Sequence, residues 1–262
     1  MDERSSYPDG EPCWADVVTN DLEAAQRFYH ALFGWEYQNS GPEMGNYSTA
    51  LVTGKPVAGI MPPPPGSTGI PPAWSVYLAS ADLDATAAKI DQVGAKVIMG
   101  PMDIPGTGRM MIGMDPTGAP FGVWQAGGHI GAEVVGVPGA PAWAELHTRD
   151  GATADSFYRS LFGYQQQQVG DGVNFDYTVW SLGDRQVAGR MVDGSDMPAD
   201  GAPRWTIYFS VDDADAAVAR AAAAGGRVVT GPDDSPYGRM AVVADPDGAV
   251  FSVIDMSRRT EV

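Results

Sequence analysis

An internal repeat limits what this chain can fold into more than any other feature. The run WADVVTNDLEAAQRFYHALFGW from Trp14 returns as WAELHTRDGATADSFYRSLFGY from Trp143, 129 residues further on. YSTALVTGKPVAGIM from Tyr47 returns as YTVWSLGDRQVAGRM from Tyr177, an offset of 130. PAWSVYLASADLDA aligns with PRWTIYFSVDDADA, so that Trp74 meets Trp205 and Tyr77 meets Tyr208, an offset of 131. GRM at Gly108 and DPTGAPF at Asp115 recur as GRM at Gly238 and DPDGAVF at Asp245. A register that drifts by so little over the whole length means two homologous domains in tandem. They are placed at 13–126 and 142–257, joined by a Gly-rich linker at 127–141 and preceded by a flexible N-terminus at 1–12.

Each domain is itself doubled, more faintly. The succession strand, Asp, amphipathic helix, Gly occurs from Trp14 to Gly34 and from Trp74 to Gly94, then from Trp143 to Gly163 and from Trp205 to Gly225. In the first of these Leu22, Ala25, Tyr29, Leu32 and Phe33 share one helical face. Asn20 or Asp21 can cap that helix, with Glu23 placed for a capping box, and Gly34 and Gly163 stand where a left-handed residue ends a helix. VYLAS, GRMMIGM and FGVWQ read as strands, and DPTG and DPDG as tight turns. The chain therefore reads as four modules, each a strand, a helix and about three more strands, which makes an α+β protein.

Composition excludes several functions. Sixteen Lys and Arg face 33 Asp and Glu, a net charge of −17, so a phosphate backbone is repelled and nucleic acid is not an expected partner. Cys13 is the single cysteine, which leaves no internal disulfide framework and no Cys-based zinc site. MDERSSYPDGEP lacks the apolar core of a signal peptide, and no run approaches the ~18 apolar residues of a membrane span, so a soluble cytoplasmic protein, monomer or homodimer, is expected. There is no nucleophile elbow, phosphate loop or dinucleotide fingerprint.

The paired modules, FYHALFGW and FYRSLFGY after an Asp-started helix, and DPTG or DPDG before a last strand resemble the vicinal oxygen chelate superfamily. That group includes glyoxalase I, extradiol dioxygenases, fosfomycin-resistance enzymes and bleomycin-binding resistance proteins. The resemblance covers nearly the whole chain, twice. It implies two tandem domains in which paired βαβββ modules curl a sheet into a cup that holds a ligand or a metal. It does not fix an activity, because one fold hosts many. Metal-bearing members place His at the head of the first strand, His or Gln at the head of the second module's first strand, and Glu in the last strand. Here those positions fall at Trp14 and Trp143, at Ser75 and Thr206 within a residue, and at Gly122 and Ser252. The resemblance thus implies a protein without the family metal and without a cofactor.

Strand alternation gives the lining of the cups. Trp143, Glu145 and His147 share one face, as do Trp14, Asp16 and Val18, with Ala144, Leu146 and Thr148 turned to the helix. Ser75 and Tyr77, or Thr206 and Tyr208, join them, as do Gly122 and Trp124, or Ser252 and Ile254. The candidate ligand-binding residues are accordingly Trp14, Asp16, Tyr77, Trp124, Trp143, Glu145, His147 and Tyr208. Aromatic walls around one carboxylate suit a planar, largely apolar ligand with a polar or cationic handle. The competing reading makes the tryptophans core residues and pairs Asp16 and Glu145 with Arg109 and Arg239 of the repeated GRM. His147 has no repeat counterpart, since Val18 stands there. With Glu145 it can reach one metal, form an acid–base pair, or be structural. His30 and His129 carry no functional signal, and the proline-rich stretch from Met61 and its counterpart from Met191 are expected to be connectors at the cup mouths.

Three functions follow as expectations. The first is a metal-independent binding protein of the bleomycin-resistance type. It holds a planar aromatic ligand, quinone- or antibiotic-like and cationic in one version, for sequestration, resistance or as a pathway accessory. The second is a glyoxalase-like lyase or isomerase, or a dioxygenase, with a non-standard metal or a carboxylate base. The third is an interaction module with vestigial cups. The contrast of Val18 with His147 implies that the two cups are not equivalent.

Overall fold

The computed structural model describes residues 2–260 apart from 65, 67, 68, 70, 174 and 195–200. The four helices are α1 (Leu22–Phe33), α2 (Leu83–Gln92), α3 (Gly151–Phe162) and α4 (Ala214–Ala223), and all start in the same way. Asp21, Asp82, Asp150 and Asp213 each accept the backbone N–H three residues on, at 2.9, 2.9, 3.0 and 2.9 Å. That satisfies one of the orphan donors of each first turn. With Asp21 as the cap, Glu23 falls one position short of the capping box, and it pairs instead with Arg27. Gly34 and Gly163 end α1 and α3 in the left-handed conformation, φ 73° and 77°.

Each domain is one eight-stranded sheet. The first contains β2 (Pro12–Val18), β3 (Glu36–Asn39), β4 (Ser48–Val52), β5 (Lys55–Met61), β6 (Ala73–Ala79), β7 (Lys96–Ile104), β8 (Gly108–Met114) and β9 (Pro120–Ala126), in the order β3-β4-β5-β2-β6-β9-β8-β7. The second contains β11 (Pro141–Thr148), β12 (Gln165–Val169), β13 (Tyr177–Leu182), β14 (Arg185–Val192), β15 (Arg204–Ser210), β16 (Arg227–Ser235), β17 (Gly238–Ala244) and β18 (Val250–Asp255), in the equivalent order β12-β13-β14-β11-β15-β18-β17-β16. In both, the modules meet through antiparallel pairing of their first strands, Asp16 opposite Ser75 and Glu145 opposite Thr206.

The faces that carry the helices share one hydrophobic core across the domains. Phe33 and Trp74 pack on Phe209, Phe28 on Phe251, and Phe121 on Phe157. The DPTG and DPDG turns tie the domains together reciprocally. Tyr29 donates to Asp245 at 2.9 Å, and Tyr158 donates to Asp115 at 3.1 Å. Trp74 and Trp205 in turn donate to those hydroxyls at 3.0 and 2.9 Å. Each buried polar atom in these chains has a partner, as a dry interior requires.

The N-terminus expected to be flexible is held. Here β1 (Asp2–Glu3) pairs with β10 (Val134–Val135) inside the linker, Tyr7 donates to the Ala132 carbonyl at 2.7 Å, and Lys55 meets Glu3 at 2.7 Å. The segment supplies the pairing that a two-residue linker strand cannot make alone. Among the described residues no helix is long and apolar enough to cross a membrane.

Candidate functional site

The alternation places the expected residues on the concave faces, but the two cups are built differently. In the second, Trp143, Glu145, Tyr177 and Tyr208 line a cavity of about 340 Å³ to which Met191, Met240 and Ile254 also contribute. Glu145 is 5% exposed and lies among three groups. Tyr208 donates to its Oε1 at 3.1 Å, and His147 Nε2 lies 2.9 Å from the same oxygen. Burial, followed by the Glu145 charge, raises the Tyr208 and Tyr177 hydroxyls well above their ordinary value, so both remain donors. Trp143 completes the wall by donating to the Tyr177 hydroxyl at 3.0 Å. Tyr177 reaches this place over Gly189, where a Cβ would overlap its hydroxyl.

Behind Glu145 runs a charge relay. His147 Nδ1 lies 2.8 Å from Asp193 Oδ1, and Arg204 pairs with Asp193 Oδ2 at 3.2 Å. Burial acts to lower the His147 pKa, but hydrogen bonds to Asp193 and Glu145 outweigh it and push the imidazole up to about 9. Burial likewise works against Asp193, and His147 and Arg204 overcome it to hold that carboxyl below its ordinary range. At neutral pH His147 is therefore an imidazolium held between Glu145 and Asp193.

The first cup has no such cation. Tyr47 donates to Asp16 at 3.2 Å and Tyr77 at 3.3 Å, while Trp14 donates to Tyr47 at 2.7 Å. Burial raises the Asp16 carboxyl to about 7, offset only in part by the two phenols. His129 packs on its tryptophans. The His129 ring stands edge-on to Trp14 with centroids 4.5 Å apart, and Trp124 donates to the His129 carbonyl at 2.9 Å. Burial lowers the His129 pKa to about 4, so the ring is neutral. His129, which carried no signal in the sequence, thus helps decide the character of the first cup.

Arg109 and Arg239 do not reach Asp16 or Glu145. Arg109 pairs with Asp84 and Asp103, both at 2.8 Å, and Arg239 with Asp215 at 2.6 Å and Asp234 at 3.2 Å. Each follows the strand alternation onto the helix side of its sheet, where Asp84 and Asp215 sit in the first turns of α2 and α4. The residues that the sequence reading missed are Tyr47, Tyr177, Asp193 and Arg204. The two tyrosines head a repeated segment, which was the available signal. Asp193 and Arg204 lie at the ends of a connector whose residues 195–200, like 65, 67, 68 and 70 of the proline-rich counterpart, are outside the described residues.

The donor set does not fit the metal found in relatives of this fold. Trp143, Thr206 and Ser252 offer an indole and two hydroxyls, and Trp14, Ser75 and Gly122 offer less, against the roughly three ionic or imidazole donors a divalent ion takes. Glu145 and His147 are bonded to each other, and among the described residues no three His, Cys, Asp or Glu side chains group as a metal site.

Comparison with known proteins agrees with this architecture. The family model described as Glyoxalase/Bleomycin resistance protein/Dioxygenase superfamily matches residues 14–123 and again 140–253. A Mycobacterium tuberculosis protein named "Putative glyoxylase CFP32" is 44% identical, with 97% of this chain and 98% of that one covered. The "Anthracycline biosynthesis protein DnrV" of Streptomyces peucetius is 40% identical over 95% and 94% of the two chains. Among solved structures, the Mn(II)-bound glyoxalase from Novosphingobium aromaticivorans superposes with a TM-score of 0.65 at 17% identity, covering 97% of this chain and 86% of that one, a likeness of fold alone. The chain belongs to the glyoxalase/bleomycin resistance protein/dioxygenase superfamily and carries two copies of its fold in tandem.

Proposed function

We propose that this protein binds a planar aromatic small molecule, quinone- or antibiotic-like, in the second cup and without a metal. The observation that carries this reading is the cavity of about 340 Å³ over Glu145, a volume within the range of small-molecule sites. Trp143, Tyr177 and Tyr208 supply flat apolar area, and Glu145 supplies one anchor for a hydroxyl or an amine. Phe175, stacked on Tyr177 at an interplanar angle of 8°, and Tyr237 leave an exposed aromatic lip at the mouth. Exposed rings beside a cavity are where a flat ligand would first make contact. Two relatives at 41% and 40% identity named as anthracycline biosynthesis proteins support the same ligand class, a polycyclic quinone. The net charge of −17 adds long-range attraction for a cationic version of it. Such a protein serves as a carrier, a sequestering agent or a pathway accessory.

The relay favours a second reading, in which the bound molecule is turned over. Glu145 faces the cavity and His147 stands behind it, so a proton taken from a phenolic ligand by Glu145 can be balanced by His147 and Asp193. Tryptophan-fluorescence titration with dihydroxyanthraquinone and a cationic aminoanthraquinone, followed by chromatography of the recovered probe, separates the two. Saturation at one molecule per chain, weakened in Trp143→Ala and with the probe recovered intact, is the expected result. Chemical conversion of the probe replaces the carrier with a catalyst. Absence of saturable quenching by either probe removes both readings.

A further inference from the structure

Three charged side chains line the cavity of the second cup: Glu145, Asp234 and Arg259. The two acidic ones are already met. His147 Nε2 lies 2.9 Å and the Tyr208 hydroxyl 3.1 Å from Glu145 Oε1, and Asp234 pairs with Arg239 at 3.2 Å. Arg259 differs from both. Among the described residues its guanidinium meets no carboxylate, and its contact is the Met256 sulfur at 3.9 Å, a weak acceptor. A chain with 33 acidic side chains to 16 basic ones has acids to spare, yet none of the described ones is placed here.

The backbone holds this arginine at the cavity. Strand β18 ends at Asp255, whose Oδ1 accepts from the Ser257 backbone N–H at 2.9 Å and from its hydroxyl at 2.6 Å, and so caps the single turn Met256–Arg258. The Thr260 N–H then bonds to the Pro236 carbonyl at 3.2 Å, in the hairpin that joins β16 to β17. Arg259 lies between these two ties, in the same lining as Met256, Pro236 and Tyr237. Glu145 is buried and Arg259 exposed, so the two mark the inner and outer ends of the cavity.

The charges at the two ends are balanced differently. At the inner end Glu145 and Asp193 are matched by His147 and Arg204, so a cationic group on a ligand finds no unmatched acid there. At the outer end a cation stands without an acid beside a largely apolar space, where a charge is screened less than in open water. The net charge of −17 belongs to the whole surface, and salt screens it beyond about 10 Å. The charge within reach of a bound ligand is that of Arg259.

We infer that the second cup selects planar aromatic ligands that carry a carboxylate or a similar anionic oxygen group, and that Arg259 is the residue that sets this preference. The planar fork of guanidinium N–H donors matches the two oxygens of a carboxylate. The inference rests on the second cup being the binding site proposed above, and within that reading it favours an anionic ligand over a cationic one.

The test is calorimetry on the whole chain with three probes: dihydroxyanthraquinone, the same nucleus bearing a carboxylate, and the same nucleus bearing an aminomethyl group. The carboxylate is expected to bind about three- to tenfold more tightly than the parent quinone, between the scale of an exposed ion pair and that of a hydrogen bond to a charged group. The amine is expected to bind no more tightly than the parent. Arg259→Gln should remove the carboxylate's advantage and leave the affinity for the parent unchanged, and Arg259→Glu should put the amine ahead. Arg227→Glu, at an exposed position of β16 outside the cavity, makes the same change in net charge and should keep the original order. Equal binding of the three probes, or an amine that binds best, overturns the preference and leaves the cup reading standing. A carboxylate advantage that survives Arg259→Gln, or that Arg227→Glu abolishes as well, overturns the role of Arg259. Failure of all three probes to bind, or binding that Trp143→Ala does not weaken, overturns the cup reading and this inference with it.

Discussion

The two cups come from one repeated sequence and share a fold, a buried carboxyl group and a ring of aromatic side chains, yet Glu145 of one meets a cation and Asp16 of the other meets two phenols. The difference is concentrated at a few positions. Val18 is paired with Met61 and Ala73, and His147 with Met191 and Arg204, so the registers are equivalent while the chemistry is not. Pro63 and Ala73 occupy the places of Asp193 and Arg204, and the relay is therefore missing from the first cup as a whole. On the opposite wall, Trp124 and His129 of the first cup stand where the second has Ile254 and Arg259. Trp124 and His129 pack on each other in one cup, while an aliphatic side chain and a cation line the cavity of the other. The helix-side packing is shared by both domains, so the concave faces can differ without loss of the common core.

The largest expected break in the symmetry is in binding. Glu145→Ala should weaken quinone binding about 10- to 100-fold, the scale of a hydrogen bond to a charged group, whereas Asp16→Ala changes it by less than about twofold. Equal losses in the two variants, read by fluorescence titration, would show that the cups act together. Stability should instead treat the domains alike. Tyr29→Phe and Tyr158→Phe each strand a buried carboxylate and a tryptophan N–H, and each is expected to cost about 1–3 kcal/mol in denaturant unfolding. A cost confined to one of them would mean that the interdomain ties are not reciprocal.

The pH dependence separates the cups again, by its window: in both, stability falls as pH rises, but over different ranges. The folded protein binds the Asp16 proton more tightly than the unfolded chain, so stability falls as pH rises from the ordinary value of 3.8 through about 7. Asp16→Asn is expected to remove that decline in a series of melting curves. His147 is raised as well, from 6.5 to about 9. Its contribution is complete below pH 6.5 and is lost as pH rises through 9, and NMR titration of the imidazole should place its midpoint near 9 and lower in Asp193→Asn. The smallest effect is the most direct test of the comparison. Trp124→Ile together with His129→Arg gives the first cup the residues that stand at these two positions in the second, and it should add a weak second equivalent of bound quinone per chain. A stoichiometry that stays at one would show that the missing relay, not these two rings, separates the cups.

Much of this was legible in the chain. The offset of about 130 residues gave the two domains, and the Asp that precedes each helix gave its cap. Period-two alternation put Trp143, Glu145 and His147 on one face because side-chain direction along a strand is a local property. The same rule, applied to GRM, would have turned Arg109 and Arg239 away from the cups, since Met110 and Met240 are the residues that face inward. Pairing them with Asp16 and Glu145 was an inference from symmetry and charge where alternation already answered the question. The expectation of a flexible start failed for another reason. Asp2 and Glu3 carry no apolar pattern, and what orders them is a partner strand more than 130 residues away.

The sequence by itself determined the repeat, the module order, the caps and the faces of the central strands, all of which depend on spacing of a few residues or on direct comparison of the two halves. Tertiary structure decided the rest. That Tyr29 bonds to Asp245, that His129 packs on Trp14, that Asp193 and Arg204 stand behind His147 and that Glu11 is left half-paired between the domains are contacts between segments distant in the chain. Which distant polar groups meet in a dry interior is set by how the sheets curl and dock, and the cost of burying a charge without its partner makes those meetings, more than the residue types alone, the origin of the site's chemistry.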